Sequence, residues 1–395
     1  MQPDTNDNVT GNETSSSIPM PPEVFPPEYT VPYDPGYLAL VQQIYTTMPP
    51  ERQAQVRRLG QKNKVYVKSS RDRMLSKITD KLCNNAASAL FGGSEKRRAL
   101  FVIGESDSGK TRALRNLVSN REEFRPRLTS KGWVRPFVYF EPQKPLTIKG
   151  FATTALTACG YPVTNQRLTE QELFNLLKEQ IRAKGVLFMW VDEMQHVLNG
   201  NTTIQIRNVS DIIKSLLQIP GWPLHMILSG VPTLAQFLVP EDGDRQLRNR
   251  SYLVHLNKIT KSNGEMMLKL QEHIMEKANV QLGETNTPEF MDRLIHSCHG
   301  AFGTMIKRMQ CAAEEATLER QMMSESDSEN SSPVTVTLRH YASVYELETA
   351  ALEEENIFMQ EKWSNISPLA ALEDLVDSIP SVGNRPRQTK KKGAS

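Results

Sequence analysis

The first 50 positions contain no Lys or Arg at all, against six Asp or Glu. A basic stretch leading into an apolar core is therefore missing there, and no secretory signal is expected. Long apolar runs are also missing: none approaches the roughly 20 residues of a membrane-spanning helix, so no membrane partner is expected. Cysteine is scarce. Cys83, Cys159, Cys298 and Cys311 are scattered through 395 residues, which suits a reducing, cytoplasmic setting. His296, Cys298 and His299 come nearest to a metal cluster, but their spacing matches no familiar zinc pattern.

The charge that is present is unevenly placed. The net charge is only +2, yet residues 51–150 hold 23 Lys or Arg against 9 Asp or Glu, a surplus of 14, while the stretch from Glu314 to Glu361 is acid-rich. Such asymmetry marks either a polyanion-binding face or a solvated surface balanced by the chain's own acids. Length alone suggests two or three domains. Residues 1–36, rich in Ser, Thr, Asn and Pro, read as a disordered or docking extension. Residues 37–99 read as a helical segment, 100–260 as an α/β domain, 261–322 as a helical lid, and 323–395 as an acidic loop, a helix and a basic tail.

Within that frame, periodicity predicts helices over 37–59 and 65–91, the second closed by Gly92-Gly93. Four strands follow in alternation with helices: Leu100 to Ile103, Phe137 to Phe140, the run VLFMWVDE, and His225 to Gly230. Helices are predicted over 110–118, 148–159, from Thr169 with Glu172 three places on, and over 209–217. Alternation of this kind predicts a parallel sheet covered by helices on both faces. Beyond about Lys261 only helices are expected, including one opened by Thr287-Pro288-Glu289.

The first strand runs into GESDSGKT, residues 104–111. Gly104-x4-Gly109-Lys110-Thr111 fits a phosphate-binding P-loop, and its place between strand and helix is the required context. The glycines let backbone N–H groups of the loop Glu105, Ser106, Asp107 and Ser108 turn toward a phosphate, and the helix beginning at Lys110 and Arg112 points its positive end there. Lys110 would reach the β- and γ-phosphates of ATP, and the Thr111 hydroxyl would hold Mg²⁺. About 80 residues on, VLFMWVDE ends in two carboxylates at the carboxyl end of a strand, where open α/β sheets place ligands. Asp192 would hold the Mg²⁺ water shell and Glu193 would polarise the attacking water. In ring-forming ATPases a polar residue ends the next strand and senses the γ-phosphate, and Ser229 stands in that place. DRQLRNRSY then offers Arg245, Arg248 and Arg250; Arg250, then Arg248, is favoured to reach a neighbouring subunit's nucleotide, the alternative being a solvated surface arginine.

These residues, together with LTIKGFATTALTACGYP, VLFMWVDEMQHVLNG, LSGVPTLAQFL, QLRNRS and HGAFGTMIKRMQCAA in that order, resemble the AAA+ ATPases of DNA transposons, the TniB/TnsC family, over roughly residues 65–320. The resemblance implies a P-loop NTPase of AAA+ type with a helical lid. It further implies assembly with its own copies as rings or filaments on duplex DNA, contact with a transposase and a target-selector protein, and disassembly driven by ATP hydrolysis. It places Gly104, Gly109, Lys110 and Thr111 on nucleotide and Mg²⁺, Asp192 and Glu193 at the chemistry, Ser229 at the sensor and Arg250 on the adjacent protomer. One departure concerns the lid helix, where many AAA+ proteins carry an arginine just after a glycine. GAFGTMIKR has Lys307 and Arg308 later than that, which puts a second sensor in doubt. Lys144 and Lys149, in PQKPLTIKG, lie either in a pore-facing loop that binds DNA phosphates or in a solvated loop. Two other readings stand beside the first: a helicase loader or initiator of similar design, and an ATP-gated scaffold that does not hydrolyse.

Overall fold

The computed structural model describes residues 34–64, 66–130, 132–142, 147–165, 167–194, 203–239, 245–324, 333–371 and 373. The readings made of residues 1–33, of the loop at Lys144 and of the basic tail after 373 lie outside the described residues.

Three helices lead in: α1 (Pro35–Thr47), α2 (Pro50–Lys64) and α3 (Ser70–Ser88). The single helix expected over 37–59 is two, because the chain breaks at Pro49-Pro50. A proline suits a first helical turn, where its missing N–H has no intrahelical partner, and Pro50 begins α2. The helix expected from residue 65 starts only at Ser70. Ser69 and Asp72 form a capping box there: the Ser69 hydroxyl accepts from the Arg71 amide at 3.2 Å and Asp72 accepts from the Ser69 amide at 2.7 Å.

The α/β part runs β1 (Ala99–Gly104), α4 (Lys110–Ser119), the hairpin β2 (Arg127–Thr129) and β3 (Gly132–Val134), and β4 (Phe137–Phe140). It continues through α5 (Ile148–Ala158), α6 (Glu170–Ala183), β5 (Phe188–Val191), α7 (Thr203–Leu217), β6 (His225–Gly230), α8 (Gln246–Asn249) and β7 (Ser251–Leu256). Five of these strands make one sheet in the order β4-β5-β6-β1-β7, with every neighbouring pair parallel. Side chains on a strand point alternately to the two faces, and the central strands use both. Phe101, Ile103, Met189, Val191, Met226 and Leu228 join the apolar layer shared with α5, α6 and α7. Leu100, Val102, Phe188, Trp190 and Ile227 join the layer shared with α3 and α4. A strand buried on both faces needs a continuous apolar run, which is what FVI and FMWV supply. Each of the fully buried Leu and Phe side chains contributes on the order of 1.5–3 kcal/mol by leaving water.

The fifth strand, β7, was not expected. It is an edge strand whose exposures alternate, with Leu253 turned to solvent and Val254 and Leu256 buried. A mixed, half-exposed sequence of this kind lacks the apolar signature of its neighbours.

The helical part comprises α9 (Gly264–Ala278), α10 (Pro288–Ser297), α11 (Phe302–Ser324) and α12 (Leu338–Thr349), with a short parallel pair between β8 (Gln281–Leu282) and β9 (Thr335–Val336). The sequence reading ends this lid at residue 322. In the structure its apolar core also takes in Val336, Tyr341, Tyr345, Ile357 and Phe358, so the packing unit continues past that boundary. The helix expected within 323–395 is α12, which stops at Thr349 in a left-handed Ala350, and the chain from there to Phe358 closes the core as turns.

Candidate functional site

The carboxyl end of β1 opens into the glycine-rich loop, and α4 begins at its far side. Gly104 is required by close approach: a Cβ there would stand 2.7 Å from Ser108 Oγ and 3.1 Å from the Leu256 carbonyl oxygen. Gly109 has φ +82°, a backbone that L side chains rarely adopt. Glu105, Ser106 and Asp107 are exposed, whereas Ser108 and Lys110 are buried. Lys110 is only 5% exposed, and its Nζ donates to the carbonyls of Gly104 and Glu105 at 2.8 Å each and to Ser108 Oγ at 3.4 Å. No ion pair to this ammonium exists among the described residues. Burial lowers its pKa, opposed by the charges of Glu193, Asp192, Asp107 and Glu105. A buried cation held by neutral oxygens at a helix N-terminus is a site for an anion.

The two carboxylates arrive on the next strand but one. β5 and β1 flank β6, so the end of β5 lies beside the loop. Asp192 is 1% exposed, and both oxygens of its carboxylate accept hydrogen bonds. It accepts from Thr111 Oγ1 at 2.7 Å through one oxygen, and from the Ser229 hydroxyl and the Glu193 amide through the other. Ser229 in turn accepts from the Trp190 indole at 2.6 Å. The half-buried Thr111 thus joins the buried Asp192 and Ser229 in one cluster, and Ser229 spends its only proton on Asp192. Trp190, absent from the sequence reading, fixes that hydroxyl; its place two residues before Asp192 on the α4 side of the sheet gave no sign of the role. Glu193 is half-buried with φ +53°, a left-handed turn that separates its direction from that of Asp192. Thr111 and Asp192 supply one hydroxyl and one carboxylate oxygen, the hard ligands that Mg²⁺ takes together with phosphate and water, and so fit that ion.

The remaining expected residues are farther away. Arg112 is half-buried on the first turn of α4. Arg250 lies just before β7, and its carbonyl accepts from the amides of Arg98 and Ala99 at the start of β1. That is the opposite end of the strand from Gly104, about 17 Å away at the rise of a strand. Its guanidinium meets the Gln246 carbonyl at 3.2 Å and, with the Gln218 amide turned to present its oxygen, that side chain at 2.8 Å. Arg245 and Arg248 are exposed. Lys149 is exposed in the first turn of α5, which begins beyond the carboxyl end of β4. Arg308 is buried in the lid, where it donates to Glu348, Ser297 and Cys298 and stacks on Tyr345 at 5.0 Å. It is committed to the lid's own core, while Lys307 is exposed.

Residues 94–238 match the family described as AAA domain. With the parallel sheet, the loop after β1 and the helical lid, the fold is that of an AAA+ P-loop NTPase. No curated protein matches the chain. Among solved structures, the chain is similar to Cdc6p from Pyrobaculum aerophilum, at 11% identity over 79% of this chain and 87% of that one, with a TM-score of 0.45. It is also similar to Aeropyrum pernix ORC1 in complex with DNA, at 15% identity, 73% and 69% coverage and a TM-score of 0.43. ORC2 of the same organism, in ADPNP and ADP complexes, matches at 15% identity, 70% and 71% coverage and a TM-score of 0.44.

Proposed function

We propose that this chain is a Mg²⁺-dependent ATPase that assembles on duplex DNA and, through ATP binding and hydrolysis, regulates transposition. The observation that carries the ATPase part is the buried Lys110 ammonium, in no ion pair among the described residues, beside the Asp192–Thr111–Ser229 cluster. The loop amides and Lys110 bind and orient the phosphates. Thr111 and Asp192 would hold Mg²⁺, which neutralises phosphate charge. Ser229 and the Glu193 amide hold the Asp192 carboxylate in one orientation, so it needs no rearrangement on binding. Glu193, next along the chain but turned away by its left-handed backbone, orients the attacking water and accepts its proton. Arg250 or Arg248, being at the far end of the sheet, serves a neighbouring copy's nucleotide.

The DNA and transposition part rests on the ordered stretches that resemble the TniB/TnsC group. It brings a transposase and a target selector as partners and Lys144 and Lys149 as phosphate contacts. The test is electron microscopy of the protein with duplex DNA and ATP, a slow analogue or ADP. Rings or filaments that need both ATP and DNA support the reading, and no assembly with any nucleotide overturns the DNA-switch part. Replacing Glu193 with Gln is expected to abolish turnover while keeping ATP bound and the DNA complex trapped; turnover near the wild-type rate would remove Glu193 from its role.

A further inference from the structure

The lid is fastened to the phosphate loop by a residue that lies in neither. Arg71 stands in the first turn of α3, outside the sheet and outside the lid. One arm of its guanidinium, Nη1, donates to the Ser108 carbonyl of the loop at 3.0 Å. The other, Nη2, donates to the Asn257 carbonyl, just past the end of β7. Its guanidinium carbon lies over the ring of Phe302, the first residue of α11, 4.6 Å from the ring centroid. Three parts of the molecule therefore meet on one side chain.

The same junction is closed a second way. The Gly303 amide of α11 donates to the Asp107 carbonyl of the loop at 2.7 Å. This contact exists because position 303 has no side chain: a Cβ there would stand 2.6 Å from that oxygen. Asp107 presents the carbonyl from a left-handed backbone, φ +55°. Beside the clasp, a cavity of about 40 Å³ is walled by Tyr66, Val67 and Arg71 on one side and by Gly109, Phe302 and Ile306 on the other. A purine ring is larger than this cavity, so one entering it beside the loop would have to part these walls and strain the clasp.

We propose that Arg71 is a positioning residue that clamps the lid onto the phosphate loop and sets how long a nucleotide stays bound. This rests on the ATPase reading above. The chemistry asks for arginine. An arginine reaches carbonyls of two separate segments with two N–H arms while its guanidinium lies against a ring, whereas a lysine donates from a single nitrogen and has no second arm. Both Nη groups of Arg71 are spent on backbone carbonyls, so the clamp acts on residence rather than on bond breaking.

The test is stopped-flow release of N-methylanthraniloyl-ADP from the full chain, with steady-state ATPase kinetics alongside. R71M, R71K and F302A are each expected to release the probe about tenfold faster, with KM for ATP raised and kcat not reduced in proportion. G303A, which removes the second fastening without touching Arg71, is expected to do the same. If R71K restores the wild-type release rate, a bare charge suffices and the clamp is overturned. If F302A and G303A release the probe at the wild-type rate, the lid is not held here and the proposal fails, even where R71M lowers stability. A wild-type chain that binds no probe overturns the ATPase reading, and this assignment with it. A wild-type chain that binds, a Lys110→Ala variant that does not, and an R71M variant that releases normally overturn the clamp alone.

Discussion

His225 opens β6 almost wholly buried, 3% exposed, and neither ring nitrogen has a hydrogen-bond partner among the described residues. Burial, aided by the nearby Arg98 charge, pushes its pKa down to about 4 from the ordinary 6.5. The unfolded chain therefore takes up a proton between these values and the folded one does not. Stability is full above pH 6.5 and falls as pH drops toward 4, by up to about 3 kcal/mol from this residue. Thermal melts should show a lower midpoint at pH 5 than at pH 7.5, and His225→Phe should flatten much of that difference; an equal slope in the variant would show that other groups cause it. Arg308 is the other residue whose part was hidden. The chain alone shows an arginine displaced along α11 from where a sensor is expected, whereas in space its guanidinium is held by Glu348 and Ser297. Glu348→Gln leaves that cation buried without its counter-charge and is expected to cost about 3 kcal/mol in urea unfolding. ATP affinity should be unchanged, and a large loss of it would return Arg308 to the nucleotide site.

At the scale of elements, legibility followed burial and caps. β1, β4, β5 and β6 are apolar runs and were readable as strands; β7 is an edge strand with only Val254 and Leu256 buried and was not. The pairs β2–β3 and β8–β9 are two or three residues long, too short to show a period. A Thr-Pro-Glu start is readable because cap and first turn are adjacent in the chain. Thr287 accepts from the Phe290 amide at 3.1 Å ahead of Pro288, as Thr-Pro-Glu predicts. Thr287→Ala should therefore lower stability by about 1 kcal/mol, measured as a shift in denaturation midpoint without a change in slope. A substitution within error of wild type would mean that α10 is held by packing alone. The start of α3 was misplaced because the amphipathic pattern continues upstream of Ser69, and the capping box there is spread over Ser69 and Asp72 rather than the more readable Ser-x-x-Glu.

For the whole molecule, the lid's core is assembled from both sides of the acidic stretch near residues 325–332. Tyr341 and Phe358 pack against Phe290 with ring centroids 4.7 and 6.2 Å away, and Gln271 donates to the Tyr341 hydroxyl. A chain cut after residue 322 loses Tyr341 and Phe358 and should melt at a lower temperature than the full chain or aggregate. Melting at the full chain's temperature would show that α12 adds nothing to the lid. The sequence by itself determined the phosphate loop, the carboxylate pair and the parallel α/β frame. A P-loop needs its glycines, lysine and threonine at fixed neighbouring positions, and a strand buried on both faces needs an unbroken apolar run. Tertiary structure alone decided that Ser229 and Trp190 serve Asp192, that Arg308 belongs to the lid's interior, and that Arg71 joins loop to lid. Each of these joins residues between 10 and more than 200 positions apart, most of them on separate elements, and spacing along a chain carries no information about which of its polar groups meet once the sheet and the lid have packed.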